Sequence, residues 1–475
     1  MQRAIRWILM FCLIVISAPN GRAQGQDQTR QLARDIFKQL IEINTTDSVG
    51  NVTTAAEAMA RRLREAGFPE NDIHVAGPNE RKKNLVARLH GTGKRKPILF
   101  IGHLDVVEAL REDWTTDPFE FIEKDGYFYG RGTEDMKEGD AILVTNFIRL
   151  KKEGFLPDRD LILALTADEE GGSFNGVDWL VKQHRDWIDA EYCVNLDGGE
   201  FEKDKGQRLL AGIQASEKVY VDFQFESLNP GGHSSVPSPD NAIYHLAGTL
   251  ARLQSFSFPL KINEITRNYF ERTAVLTSGQ VSADMKSVAK QPPDAAAVQR
   301  LSEVPYFNSL LHTTCVATML SGGHAQNALP QTARANVNCR IFPGEDPQEV
   351  LKTLESVAND PKVKVSIVPQ IGPDGKVTPV VPVPPSPLLP EVTQAMEKTL
   401  SRVWPGVPLV ATMSTGATDG RITRIAGIPT YGISCMFFDV NDNREHGKDE
   451  RVGVQDFYDG VEFNLKLIRE LSAAR

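Results

Sequence analysis

Three short runs in the first half of the chain are apolar almost without interruption: Ile98-Leu99-Phe100-Ile101, Leu161-Ile162-Leu163-Ala164-Leu165 and Tyr192-Cys193-Val194-Asn195-Leu196. Runs of this length suit strands covered on both faces, as in an α/β sheet with parallel strands. Ahead of them, Thr53 to Ala66 carries Ala55, Ala56, Met59, Leu63 and Ala66 on one stripe. That spacing predicts a helix, with Gly67 as its stop. Helical and strand patterns alternate in this way to about residue 212.

Each apolar run ends in polar residues able to hold a ligand. They are Gly102-His103-Leu104-Asp105, Thr166-Ala167-Asp168-Glu169-Glu170-Gly171-Gly172 and Asp197-Gly198-Gly199-Glu200. Open α/β sheets place their sites at the carboxyl ends of the strands. Three such ends in succession predict one site along one edge of the sheet.

The texture changes from about 213. Val219 to Phe225 alternates like a half-exposed strand, Gly231-Gly232-His233-Ser234-Ser235 follows, and Ala242 to Leu253 reads as an amphipathic helix. Strand patterns over Thr314 to Met319 and Ala333 to Phe342, then a helix from Pro347 to Ala358, complete a smaller α+β domain. Residues 256–306 fit neither texture and are read as an insertion. Pro379, Pro382, Pro384, Pro385, Pro387 and Pro390 mark a stiff, extended connector back to the first domain. Beyond it Val392 to Val403 and Val454 to Leu471 look helical, and Thr430 to Met436 strand-like. The expected fold class is α/β. A large domain (24–212 and 378–475) has a mixed, largely parallel sheet flanked by helices, and the smaller domain over 213–377 interrupts it.

The 475 residues are enough for more than one core. A formal net charge of −9 excludes a general nucleic-acid or anionic-membrane binder, either of which needs a basic face. Arg3 and Arg6, the apolar stretch Trp7 to Ser17 and the small residues of Gly21-Arg22-Ala23 predict a signal peptide over 1–23. The stretch is short for a bilayer span, so a retained anchor helix is the weaker alternative. The expectation is a secreted or periplasmic protein with no membrane attachment after cleavage. Cys12 sits inside the apolar run, which argues against a lipid-modified cysteine. Cys193, Cys315, Cys339 and Cys435 remain, and none forms a C-x-x-C pair. Cys315 and Cys339 both lie in strand-like runs where a bridge is open to them. Buried free thiols are the expectation.

His103 and His446 offer imidazoles, and Asp135, Glu170 and Asp197 offer carboxylates. Zinc takes these donors, and two zinc ions ~3.5–4 Å apart share a bridging carboxylate and a water of lowered pKa. Glu169 stands next to a ligand yet free to act as a base. Singly, each has a plainer reading: a satisfied buried histidine, a solvated acidic turn, a glycine turn, an exposed loop histidine. Their placement at successive strand ends favours the site.

Together with Gly130-Arg131-Gly132-Thr133-Glu134-Asp135-Met136-Lys137, Gly232-His233-Ser234-Ser235 and Glu445-His446-Gly447, these blocks carry a resemblance. The chain resembles the zinc metallopeptidase family of acetylornithine deacetylase, succinyl-diaminopimelate desuccinylase, aminoacylase-1 and carboxypeptidase G, in the same order over nearly its whole mature length. The resemblance implies that Asp135 bridges two metals, with His103 and Asp197 on one and Glu170 and His446 on the other. It implies that Asp105 orients the His103 ring and that Glu169 is the general base. His233 would be a histidine of a lid or dimerisation domain that reaches a partner's site and stabilises an oxyanion. Asn327 and Arg340 would hold the substrate carboxylate, and Asp419 and Arg421 belong to a substrate-side loop. The peptide bond between Asp135 and Met136 is often cis in such relatives.

The resulting expectation is a secreted, homodimeric enzyme with two Zn2+ per chain, cobalt or manganese suiting the same donors. It would cleave small peptides with a free carboxylate, as a carboxypeptidase or dipeptidase does, by attack of metal-bound hydroxide. The alternative is an N-acyl-amino-acid deacylase; a minor one is a catalytically silent binding homologue.

Overall fold

The computed structural model describes residues 21–372 and 375–473. Most of the expected signal peptide lies outside them. Gly21, Arg22 and Ala23 fall within the first turn of the helix Gly21–Ile41. Among the described residues no helix is long and apolar enough to cross a membrane.

The three apolar runs form adjacent parallel strands. Ile98–His103 pairs in parallel with Leu161–Thr166 on one side and Tyr192–Asn195 on the other. All three are buried throughout: the almost wholly buried helix Lys137–Lys152 packs on Ile98–His103 and Leu161–Thr166, and Leu180 and Ile188 cluster with Leu99, Ile101, Ile162, Ala164 and Cys193 on the opposite face. The sheet has ten strands and is mixed. Asn84–Leu89 and Ile73–Ala76 extend it antiparallel on one side, and Thr430–Gly432 continues it in parallel on the other. The helix expected over 53–66 spans Val52–Glu65 and buries Ala55, Ala56, Met59 and Leu63. Asn51 caps its start by accepting the N–H of Thr54.

The strand expected over 430–436 is shorter than its pattern. It ends at Gly432, and Cys435 turns into the left-handed region at φ 65°. Gly432 has no alternative here: a Cβ on it would sit 2.9 Å from the Gln214 side chain.

The small domain is a four-stranded antiparallel sheet in the order Thr314–Gly322, Thr332–Ile341, Val219–Leu228, Val363–Ile367. The two central strands, Thr332–Ile341 and Val219–Leu228, alternate buried and less buried residues, and the helices Ala242–Gln254 and Pro347–Ala358 cover the buried face. The strand Gln207–Glu217 still belongs to the large sheet, so the change of sheet falls at Lys218. Cys315 and Cys339 are not free thiols. They stand directly opposite each other on antiparallel strands, Cα atoms 4.1 Å apart, and form a disulfide. Cys193 and Cys435 are buried free thiols.

The insertion folds into four short helices, Glu264–Thr273, Gly279–Val288, Ala295–Ser302 and Pro305–Leu311. Ile265, Phe270, Met285, Val288 and Leu311 join the core of the large domain, where Glu264–Thr273 packs on the strand Leu409–Ser414.

Candidate active site

Parallel pairing brings the polar strand ends to one edge. His103 closes its strand opposite Thr166, and the loops leave together through the bonds Leu104 N–H to Thr166 O (2.8 Å) and Leu196 N–H to Ile101 O (3.2 Å). Asp105, Glu169, Glu170 and Asp197 follow at once. Asp135 arrives on the loop before the helix Lys137–Lys152, across a cis bond to Met136. His446 arrives on a loop near the carboxyl end, its backbone in the left-handed region at φ 59°.

The two oxygens of Asp135 face two different imidazoles: Oδ1 lies 3.0 Å from His103 Nε2, and Oδ2 lies 2.9 Å from His446 Nε2. His446 Nε2 is also 3.0 Å from Glu170. Donor atoms of His103, Glu169 and Asp197 lie within 4.8 Å of one another, as do those of His103, Asp135 and Glu170. A third such group joins Glu445 to Asp135 and His446; the sequence reading gave Glu445 no role.

The charge in this cluster is unbalanced. Burial first, then the charges of neighbouring carboxylates, pushes Glu169, Glu170 and Asp197 above the usual carboxylate range. Burial opposes charge on His103, yet Asp135, Asp105 and Asp197 hold its imidazole well up. Hydrogen bonds from its imidazole to the carboxylates of Asp135 and Glu170 raise His446 to about 10. His103 Nε2 and Asp135 Oδ1, though 3.0 Å apart, do not meet in hydrogen-bond geometry, and neither has another partner among the described residues. Orphaned nitrogen and oxygen donors converging amid like charges are what a divalent cation relieves, and this donor set fits zinc.

Asp105 reaches the His103 ring through its main-chain carbonyl, 3.1 Å from Nδ1, with its carboxylate 3.7 Å away. The carboxylate instead accepts the N–H groups of Glu169 (3.2 Å) and Glu170 (3.0 Å). Asp419 is buried, and its oxygens accept from Asn175 (2.6 Å) and Thr166 (3.2 Å), so they are already engaged. Arg421 is half-buried beside Glu217.

The other expected substrate residues lie in the small domain. His233 and Asn327 are exposed where Gly232–His233 pairs antiparallel with Ala328–Leu329, tied by the bond from Ser234 N–H to Asn327 O at 3.0 Å. His233 Nδ1 hydrogen-bonds Ser235 at 2.7 Å. Arg340 stacks over the Tyr220 ring at 4.8 Å. None of the three lines the cavity of about 340 Å³ that opens beside Asp135 and Asp197.

Arg131, which entered the sequence reading only as part of a motif, and Glu450 are both buried, and that reading assigned neither a role. Glu450 accepts the N–H groups of Gly132 (3.2 Å), Glu134 (2.6 Å) and Asp135 (3.2 Å), and pairs with Arg131. Arg131 also donates to the carbonyls of His446 (3.3 Å) and Gly447 (3.0 Å). The strand Arg451–Gly453 pairs with Tyr127–Tyr129 just outside this knot. The loops carrying Asp135 and His446 are thus one unit.

Comparison with known proteins places the same architecture elsewhere. Residues 99–470 match the model of peptidase family M20/M25/M40. A probable carboxypeptidase S-like 2 from Dictyostelium discoideum is 28% identical over 388 residues, covering 79% of this chain and 71% of that protein. The human N-fatty-acyl-amino acid synthase/hydrolase PM20D1 is 27% identical over 395 residues, covering 79% and 74%. Among solved structures, the M20 family metallo-carboxypeptidase Sso-CP2 from Sulfolobus solfataricus superposes with a TM-score of 0.66 at 15% identity, covering 92% of this chain and 99% of its own.

Proposed function

The chain belongs to peptidase family M20/M25/M40, and from that membership we propose an exported, two-zinc enzyme that splits the amide bond of small peptides ending in a free carboxylate. That it is a hydrolase follows from the family; the metal, substrate, location and assembly are this proposal's own. The observation that carries it is the division of the Asp135 oxygens between His103 and His446, with Glu170 and Asp197 beside them.

Zinc bound there supplies the positive charge that polarises a scissile carbonyl and acidifies a water. The chain's own residues do the rest. Asp135, His103 and Asp197 would hold one ion, and Asp135, Glu170 and His446 the other. Glu169 takes the proton of the attacking water on its carboxylate and delivers it to the leaving amine. Asp105 fixes the main chain of Glu169 and Glu170, so base and ligand stay in register. Burial of this edge keeps the field of those charges strong.

A second reading, hydrolysis of N-acyl amino acids, is favoured by the relative named for N-fatty-acyl-amino acids. Both readings release an amino acid with a free carboxylate.

The assembly is a homodimer. Thr314–Gly322 is an edge strand with Val316, Met319 and Leu320 60–71% exposed. Such an edge calls for a covering strand. A second copy there would give the exposed His233 and Asn327 a site to enter, which their own chain does not offer. Export is supported by the basic and apolar pattern of residues 1–23 and by the Cys315–Cys339 disulfide, a bond at home in oxidising compartments.

The test is metal content of the purified protein, together with release of free amino acid from dipeptides and N-acyl amino acids. Two zinc ions per chain and chelator-sensitive cleavage of dipeptides are expected. A protein that binds no metal, or cleaves no amide in either set, overturns the proposal.

A further inference from the structure

The cavity beside Asp135 and Asp197 has a wall chemistry of its own. Glu134, Glu138, Glu200, Glu202, Asp439 and Glu445 line it, and among the described residues no lysine, arginine or histidine does. Three of these carboxylates are engaged, Glu445 by the Asn443 side chain. Glu134 accepts the N–H of Arg444 at 2.7 Å, and Asp439 accepts those of Asn441 (3.0 Å) and Lys205 (3.2 Å). Glu138 is different. It is 3% exposed, and its Oε2 has no hydrogen-bond partner. A buried carboxylate oxygen left without a donor is costly unless a ligand supplies one. Glu202 is pushed up by burial and by the charge of Glu200, with no basic group acting on it.

Between these carboxylates and the proposed metal ligands Asp135 and Asp197, the wall carries an apolar strip, with Leu196 and Phe201 buried and Phe438 half-buried, beside the polar Ser434 and Asn443. About 340 Å³ is room for one side chain, at the small end of the ~300–1,000 Å³ typical of ligand pockets. Acidic walls with an apolar lining suit a group with a hydrocarbon shaft and a positive head. They repel a carboxylate, so the free carboxylate of the substrate does not lie here. The end left to enter is the acyl side of the scissile bond.

We propose that this cavity is a specificity subsite for an alkylammonium group on the acyl side of the substrate, either a lysine-type side chain or a free α-amine. The choice of side rests on the hydrolase reading above; the recognition of an ammonium group does not.

The experiment separates the two. Calorimetry on the zinc-loaded enzyme compares n-pentylammonium with n-pentanol, for the native protein and for the Glu200→Gln/Glu202→Gln double variant. At least tenfold tighter binding of the amine is expected in the native protein, with most of that preference lost in the variant. Equal binding of amine and alcohol, or the same preference in the variant, overturns the subsite. Metal content and thermal unfolding of the variant confirm that it is folded. Kinetics on Lys-Leu and its α-acetyl and ε-acetyl derivatives then name the source. A tenfold loss of kcat/KM on ε-acetylation alone assigns the side chain, and on α-acetylation alone the terminal amine; no loss on either places the amine outside the substrate and overturns the acyl-side assignment. An enzyme that binds the amine yet cleaves no peptide or N-acyl amino acid refutes the hydrolase reading and leaves the cation site standing.

Discussion

The buried carboxylate of Glu450 accepts the main-chain N–H of Asp135 at 3.2 Å. A residue four positions past His446 therefore holds in place the carboxylate that faces both imidazoles. The amide of Glu450→Gln keeps the shape but loses the charge, and can turn an N–H towards donors that need an acceptor. Outer groups of this kind are worth about 10–100-fold in metal affinity. Glu450→Gln is expected to weaken zinc binding by that order in chelator competition, while Glu450→Ala also lowers the melting temperature. Native zinc affinity in the glutamine variant would contradict the role.

Glu169 offers the opposite signature. Its carboxylate stands beside His103 and Asp197, but the proposal gives the ligand positions to others. Glu169→Gln should therefore keep both metals and lose turnover by about 10²–10⁴-fold, the usual worth of a general base. Metal analysis and kcat on one preparation check both halves. Intact turnover at normal metal content would remove Glu169 from the chemistry.

What the sequence disclosed was local. Ile98–His103, Leu161–Thr166 and Tyr192–Asn195 were legible because each apolar run stops at the residue that begins the site. What stayed hidden depends on register between distant segments. Glu450 meets Asp135 only because Arg451–Gly453 pairs with Tyr127–Tyr129. Whether Asp105 meets His103 by carbonyl or by carboxylate turns on main-chain geometry that no motif encodes. The insertion's helices, 7–10 residues long, give too few turns for a periodic signal. The first of them, Glu264–Thr273, answers to Leu409–Ser414, more than a hundred residues later, and the others pack in sequence on one another.

The disulfide is a case of the same kind, and it can be measured. Cys315 and Cys339, 24 positions apart, became partners through the pairing of Thr314–Gly322 with Thr332–Ile341. A closed loop of that size constrains the unfolded chain by about 3 kcal/mol in the chain-entropy account. Cys315→Ala/Cys339→Ala should lower the stability of the small domain by that order, in denaturant unfolding followed by a probe placed there. Reductant should shift the native protein towards the variant and leave the variant unmoved. The metal ligands lie in the other core, so zinc content should stay as in the native protein.

Lys218 sits where the chain passes from the large sheet to the small one, fully buried, its ammonium donating to the His312 carbonyl. Burial lowers it from 10.5 to about 7, with Glu345 pulling it up and Arg340 pushing it further down. Between about pH 7 and 10.5 the unfolded chain holds a proton there that the folded chain has released. Stability from this group therefore rises with pH across that window and is least below pH 7, where the folded protein must bury the charge. Lys218→Met removes the titration. The stability of the native protein relative to the variant should climb from pH 7.5 to 10, by at most about 1.4 kcal/mol per unit. Denaturant unfolding of both proteins at several pH values reads the slope directly. A difference that stays flat would mean the ammonium at this crossing keeps its proton, while a falling one would mean that folding raises its affinity instead.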